Sequence, residues 1–242
     1  MDFFTPLILA VQMLIGFDAD LYEIIGLSLQ VSLVAVGTAL VLGLPLGALL
    51  ASFQFIGRGP LIVITNTLLG LPPVVVGLLV YLLISRAGPL GFLDLLYSPA
   101  AMMMAQFILV LPLSIALSRQ VFEGLHQDYN LLFKSLNLSW KTRVTTLLVD
   151  GRAALVTIAL VCFGRAISEV GAVILVGGNI KHVTRVMTSA IALETARGEL
   201  AFALALGLVL LFIALVVNII SQQIRQYFTC LLYTSPSPRD NT

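Results

Sequence analysis

Five long stretches of this chain run almost without charge: Ile24 to Ala51, Pro60 to Ser85, Ser98 to Leu117, Ala153 to Val176 and Leu200 to Ile220. Each is long enough to cross about 30 Å of hydrocarbon at about 1.5 Å per helical residue. Lipid offers the backbone no partners, so a crossing segment must satisfy its own hydrogen bonds as a helix. The expected fold class is therefore an all-α membrane protein with about five transmembrane helices. Composition agrees. Of 242 residues, 59% are hydrophobic and 10% charged, against about 45–50% and about 25% in a soluble domain. A soluble enzyme and a disordered chain are excluded. Lys+Arg 13 against Asp+Glu 12 leaves no basic excess for nucleic acid.

The ends differ from the middle. Residues 1–21 read as an external or interfacial segment: Phe3 to Phe17 is apolar but short for a span, so an interfacial helix is expected. The first residues lack a basic n-region, and a cleaved signal peptide is not expected. Residues 229–242 (TCLLYTSPSPRDNT) show no helical period and read as a disordered or artefactual tail. Cys162 and Cys230 form neither a disulfide framework nor a metal spacing, and no metal is expected.

With the N-terminus outside, the inner loops hold Arg58, Arg119, Lys134, Lys141, Arg143, Arg152 and Arg225, and the outer ones Arg86, Lys181, Arg185 and Arg197. The excess of inner cations favours an N-out, C-in topology. Two connections exceed simple turns: 118–152 inside and 177–199 outside. In the inner one, Asp128 is placed to cap a short helix. Tyr129, Leu132, Phe133 and Leu136 then follow at i, i+3, i+4 and i+7 as one apolar stripe, with Lys134 off it. Such a stripe suits a partner's groove, or else it packs on the protein's own spans or lies on the bilayer surface. Ser139 is placed to cap a second helix from Trp140.

Arg165 and Glu169 are the only charges in the five spans, and an i, i+4 spacing puts them, with Ser168 between, on one part of a helix. Intramembrane charges mark either a pathway or an internal pair. Gly164 and Gly171 leave room for close helix approach, as do Gly43 and Gly47. Pro45, Pro72 and Pro73 are expected kinks. In the outer loop, Asn179, Lys181, Thr184, Arg185 and Thr188 are donors that can meet an oxyanion or simply face solvent. His182 stands alone and reads as a surface residue.

These residues carry a resemblance. A long inner loop before the penultimate span resembles that of type I ABC-importer permeases, the MetI-like fold. Laid on their pattern of Glu-Ala-Ala, Gly and Pro, the frame falls on Leu131-Leu132-Phe133, Asn137 and 147–150, where the Glu, the Gly and the Pro are all replaced. Leu136-Asn137-Leu138-Ser139-Trp140 resembles the family's turn more closely. The stretch Gly164 to Leu200, with Leu69-Gly70-Leu71-Pro72-Pro73 and Arg86-Ala87-Gly88-Pro89-Leu90-Gly91, resembles the permease subunits of tungstate importers in the molybdate/sulfate-like branch. The likeness spans roughly Tyr22 to Tyr227, within a unit of 22–228.

The resemblance implies a non-catalytic permease in the cytoplasmic membrane of a bacterium or archaeon. It would pair with a second copy, couple to cytoplasmic ATPase subunits through Tyr129, Leu132, Phe133, Lys134, Leu136 and Asn137, and receive its oxyanion from an external solute-binding protein. It implies no cofactor in this chain; ATP and Mg²⁺ belong to the ATPase, since no Gly-x4-Gly-Lys-Ser/Thr motif is present. A permease for another oxyanion such as sulfate, or an ATP-independent channel or carrier, is the alternative. An intramembrane enzyme is disfavoured, because no HExxH, Gly-x-Ser-x-Gly or intramembrane Asp pair is found.

Overall fold

The computed structural model describes residues 4–233, and among them every regular element is helical. The order is α1 (Phe4–Ile15), α2 (Ala19–Ser52), α3 (Arg58–Leu69), α4 (Pro73–Ile84), α5 (Pro99–Ser135), α6 (Trp140–Asp150), α7 (Arg152–Ile167), α8 (Gly171–Gly177), α9 (Met187–Arg197) and α10 (Leu200–Tyr233), with a 3-10 turn at Gly91–Leu93. Among the described residues three helices are long and apolar enough to cross a membrane: α2, α5 over Pro99–Gln127 and α10 over Leu200–Ile224. Counting each bent pair as one span brings the number to five: α3 with α4, bent by 103°, and α6 with α7, bent by 73°.

Local sequence accounts for several of these limits. Asp18 Oδ1 accepts from the Leu21 amide at 3.0 Å and starts α2. The helix then runs unbroken through Pro45. Pro72 and Pro73 do more than kink their span: Pro72 is the N-cap of α4 and Pro73 opens its first turn, so α3 and α4 separate there. Ser139 starts α6, its Oγ accepting from the Thr142 amide at 3.3 Å.

The centre of the fold is the α2–α5 contact. A Cβ on Gly43 or Gly47 would overlap the Ser114 or Ser118 hydroxyl. The backbones therefore come close enough for Ser114 Oγ to donate to Ala39 O (3.2 Å) and Ser118 Oγ to Gly43 O (3.3 Å). Small residues at four-residue spacing on one helix thus receive hydroxyls at the same spacing on the other. Gly171 is used similarly, against Val74, whereas Gly164 faces open space and supports no close approach. Gly77 lies against the Ala172 backbone and seats α8 on α4.

Two expectations change, and a third gains a neighbour. No new helix begins at Asp128: α5 continues to Ser135, because no proline lies between Glu123 and Phe133 and Phe133 anchors its end in the core. The expected N-terminal helix, α1, packs on α10, with Ala10 fully buried in a cluster that includes Leu21, Met187 and Leu206. Residues 229–233 extend α10, because no helix breaker precedes Pro236. The remainder of the expected tail, 234–242, lies outside the described residues.

Candidate functional site

The fourth apolar stretch folds as two helices rather than one. α7 ends at Ile167, the chain turns at Ser168, and α8 starts at Gly171. Glu169 therefore sits in an elbow and not on a continuous helical face with Arg165. The two still meet, Arg165 Nη1 lying 3.7 Å from Glu169 Oε2. Their environments differ: the Glu169 side chain is 6% exposed, that of Arg165 46%. Glu169 Oε1 accepts from the amides of Gly171 (3.0 Å) and Ala172 (3.4 Å), satisfying donors that the first turn of α8 cannot satisfy itself. Ser168 is exposed and its Oγ donates to Gly164 O (2.9 Å).

Neighbouring helices fasten this elbow. Gln106 Nε2, from α5, donates to Ala166 O at 3.0 Å. Thr188 Oγ1, from α9, donates to Glu169 O at 2.8 Å. The result is one buried carboxylate, held by backbone amides, beside one half-exposed guanidinium. At 3.7 Å the pair is an ion pair without a direct hydrogen bond.

The outer-loop donors are placed differently from expectation. Lys181 Nζ pairs with Asp20 Oδ2 at 2.6 Å, and His182 Nδ1 lies 2.7 Å from Glu23 Oε2, so His182 is not isolated. Asn179 Nδ2 donates to Ser189 O (3.3 Å) and Asn179 Oδ1 accepts from Ser189 Oγ (2.9 Å). Thr184 Oγ1 donates to Gly177 O, and Thr188 is committed to Glu169 as above. Arg185, largely buried, pairs with Glu194 at 3.3 Å, and Arg197 joins the same carboxylate at 3.2 Å. Lys181, His182, Arg185 and Arg197 face two acids on α2 and one on α9, while Asn179, Thr184 and Thr188 turn to Ser189 and backbone carbonyls. A cleft of about 250 Å³ remains, lined by Asp20, Glu23, Gln30, Lys181, His182 and Arg185. Asp20, Glu23 and His182 bring ligand-type atoms within 4.8 Å of one another there, but Lys181 already holds Asp20. Beside α8, a hydrogen bond with Tyr81 raises the Tyr97 phenol above its ordinary pKa.

At the other end of α5 the expected stripe divides. Phe133 is 1% exposed and packs with Phe122, Val144, Leu147 and Ala48, and Tyr129 stacks on it at 5.7 Å. These two rings thus follow the internal-packing alternative, because α6 folds back over them. Leu132 and Leu136 are exposed, and so are Leu131 and Trp140, which the stripe omitted. The side chain of Lys134 lies outside the described residues. Asn137 has φ +47°, a left-handed turn that Gly adopts freely and Asn tolerates.

Sequence reasoning passed over Gln106, although a lone amide in an uncharged stretch was a signal. It also missed the cluster in which Glu123 accepts from both Arg58 (2.8 Å) and Arg119 (2.9 Å).

Residues 43–228 match the family described as binding-protein-dependent transport system inner membrane component. The tungstate uptake system permease protein of Peptoclostridium acidaminophilum is 37% identical over 217 residues, 90% of this chain and 95% of the relative. Its counterpart in Campylobacter jejuni is 42% identical over 174 residues, 72% of this chain and 73% of the relative. The molybdenum transport system permease protein of Escherichia coli K12 is 28% identical over 188 residues, 74% of this chain and 82% of the relative.

Proposed function

Since the chain belongs to the family of binding-protein-dependent transport system inner membrane components, we propose that it is the tungstate-conducting permease subunit of an ABC importer. The observation that carries the substrate is the gap between 37–42% identity to two tungstate permeases and 28% to a molybdenum permease. The chemistry of the elbow supports an oxyanion: Arg165 presents a half-exposed guanidinium inside an otherwise uncharged stretch, beside a buried Glu169.

In this reading two copies form the conduit, an external binding protein delivers the oxyanion, and ATPase subunits drive it from the inside. The N-terminus is outside and the C-terminus inside, as the loop cations favour. ATP and Mg²⁺ are the partner's. The docking face is the exposed end of α5 and its turn, with Leu131, Leu132, Leu136 and Asn137 available. ATP-driven closure then switches the paired helices between two packings. Arg165 acts at the elbow as the anion passes. Asn179, Lys181, Thr184, Arg185 and Thr188 shape the outer loop and release donors only if it opens.

The deciding experiment is reconstitution with the cognate ATPase and binding protein, followed by ATP hydrolysis and uptake with tungstate, molybdate or sulfate. Tungstate-loaded binding protein is expected to stimulate both most strongly at low concentration. Equal stimulation by sulfate would discard the substrate assignment. Uptake indifferent to ATP depletion would replace the importer by a carrier.

A further inference from the structure

A second cavity is lined by none of the elbow residues. It is an apolar groove of about 570 Å³ between the end of α2, α3, α5 and α6, lined mainly by Leu46, Leu50, Phe53, Phe55, Leu61 and Trp140. Its position is defined by the chain: α2 ends at Ser52, so the groove meets the boundary where a membrane-crossing helix leaves the hydrocarbon. Aromatic side chains at such a boundary favour the headgroup layer.

Cations stand at its edge. Arg58 Nε donates to Leu50 O at 2.7 Å, the carbonyl of a groove-lining residue. Lys141 Nζ lies 5.7 Å from the centroid of the groove-lining Trp140 ring. Glu123 is shared by Arg58 and Arg119, so one carboxylate answers two guanidiniums. Among the described residues Lys141 has no carboxylate partner. Arg58, Arg119 and Lys141 stand against Glu123 and, in the pocket beside Lys141, Asp150, which leaves the edge of the apolar slot positive by one.

We infer that this groove binds an anionic phospholipid, with an acyl chain along Leu46, Leu50 and Leu61 and the phosphate on Arg58 and Lys141. A zwitterionic lipid fills the slot equally well but gains less from the net positive edge. The excess of cations over carboxylates therefore selects the occupant. A bound lipid of this kind would join α3 to α6, the element that follows the exposed turn at Asn137, and so stiffen the base of the molecule.

Trp140 is the single tryptophan, so its fluorescence reports on the groove without a label. The full-length chain is reconstituted in phosphatidylcholine vesicles containing a fixed small fraction of brominated phosphatidylglycerol or brominated phosphatidylcholine. Quenching is expected to be several-fold stronger with the anionic lipid at equal bromine content, and to weaken as salt is raised. Lys141→Gln, at an exposed position that leaves the fold intact, is expected to remove most of that preference. Equal quenching by the two lipids overturns the inference. So does a preference that Lys141→Gln leaves unchanged, or a Trp140 that neither lipid reaches, the last meaning that a second copy covers the groove.

Discussion

Arg165 and Glu169 are adjacent charges with unequal tasks, and substitution separates them. Glu169 is buried and accepts from two amides of α8, so Glu169→Ala leaves those donors unpaired. A loss of about 1–3 kcal/mol is expected, read as a lower thermal midpoint of the detergent-solubilised chain. Glu169→Gln keeps an acceptor oxygen and is expected to retain most of that stability while freeing Arg165. Arg165→Ala removes a half-exposed side chain whose ion pair lies in part at the surface, so assembly should survive and oxyanion uptake should fail. Normal uptake in that variant would dismiss the elbow as an anion site. The i, i+4 spacing made this pair legible in the sequence. The turn between its members was not, because no proline or glycine stands at 168–170 and the break is held by Gln106 and Thr188, both remote in sequence.

Helix packing divides the residues that a periodic pattern groups together. Phe133→Ala is expected to cost about 3–5 kcal/mol, since the ring is enclosed by α2, α5 and α6. Leu132→Asp and Leu136→Asp, both at exposed positions, are expected to leave the thermal midpoint nearly unchanged and to abolish stimulation of the partner ATPase. If all three variants unfold alike, the exposed end of α5 is structural and not a docking face. Gly47→Val belongs to the same scale. Its side chain would meet Ser118 Oγ as well as the Arg119 and Ile115 backbones, and overpacking of about 1–3 kcal/mol is expected. The small-residue spacing at Gly43 and Gly47 was readable in advance, and Pro72-Pro73 announced a break. Which face of 129–136 turns inward was not readable, because the period of a stripe says nothing of what covers it. Asn137 illustrates the reverse: a missing glycine looked like a departure from the family's pattern, yet the residue adopts the left-handed turn there.

At the level of the whole molecule, α3 has no buried residue and α4 exposes Val75, Leu78, Leu79 and Leu82. If two copies form the conduit across this face, a cysteine at Leu78 should cross-link them on oxidation, in a background where Cys162 and Cys230 are replaced. Only monomer under oxidising conditions would assign the face to lipid instead. That the chain is helical and membrane-crossing was legible because charge is so sparse; the expected five spans are reached only if each bent pair counts as one. The shape of the second span was not, since hydropathy averages over a bend. That shape has an energetic corollary. The two arms of α3 and α4 are 12 residues each, about 18 Å apiece, and the 103° fold leaves their far ends only about 22 Å apart. The hydrocarbon layer they would have to bridge is about 30 Å thick. The bent pair taken alone therefore does not reach across that layer, which fits a broken span completed by flanking chain or a re-entrant loop.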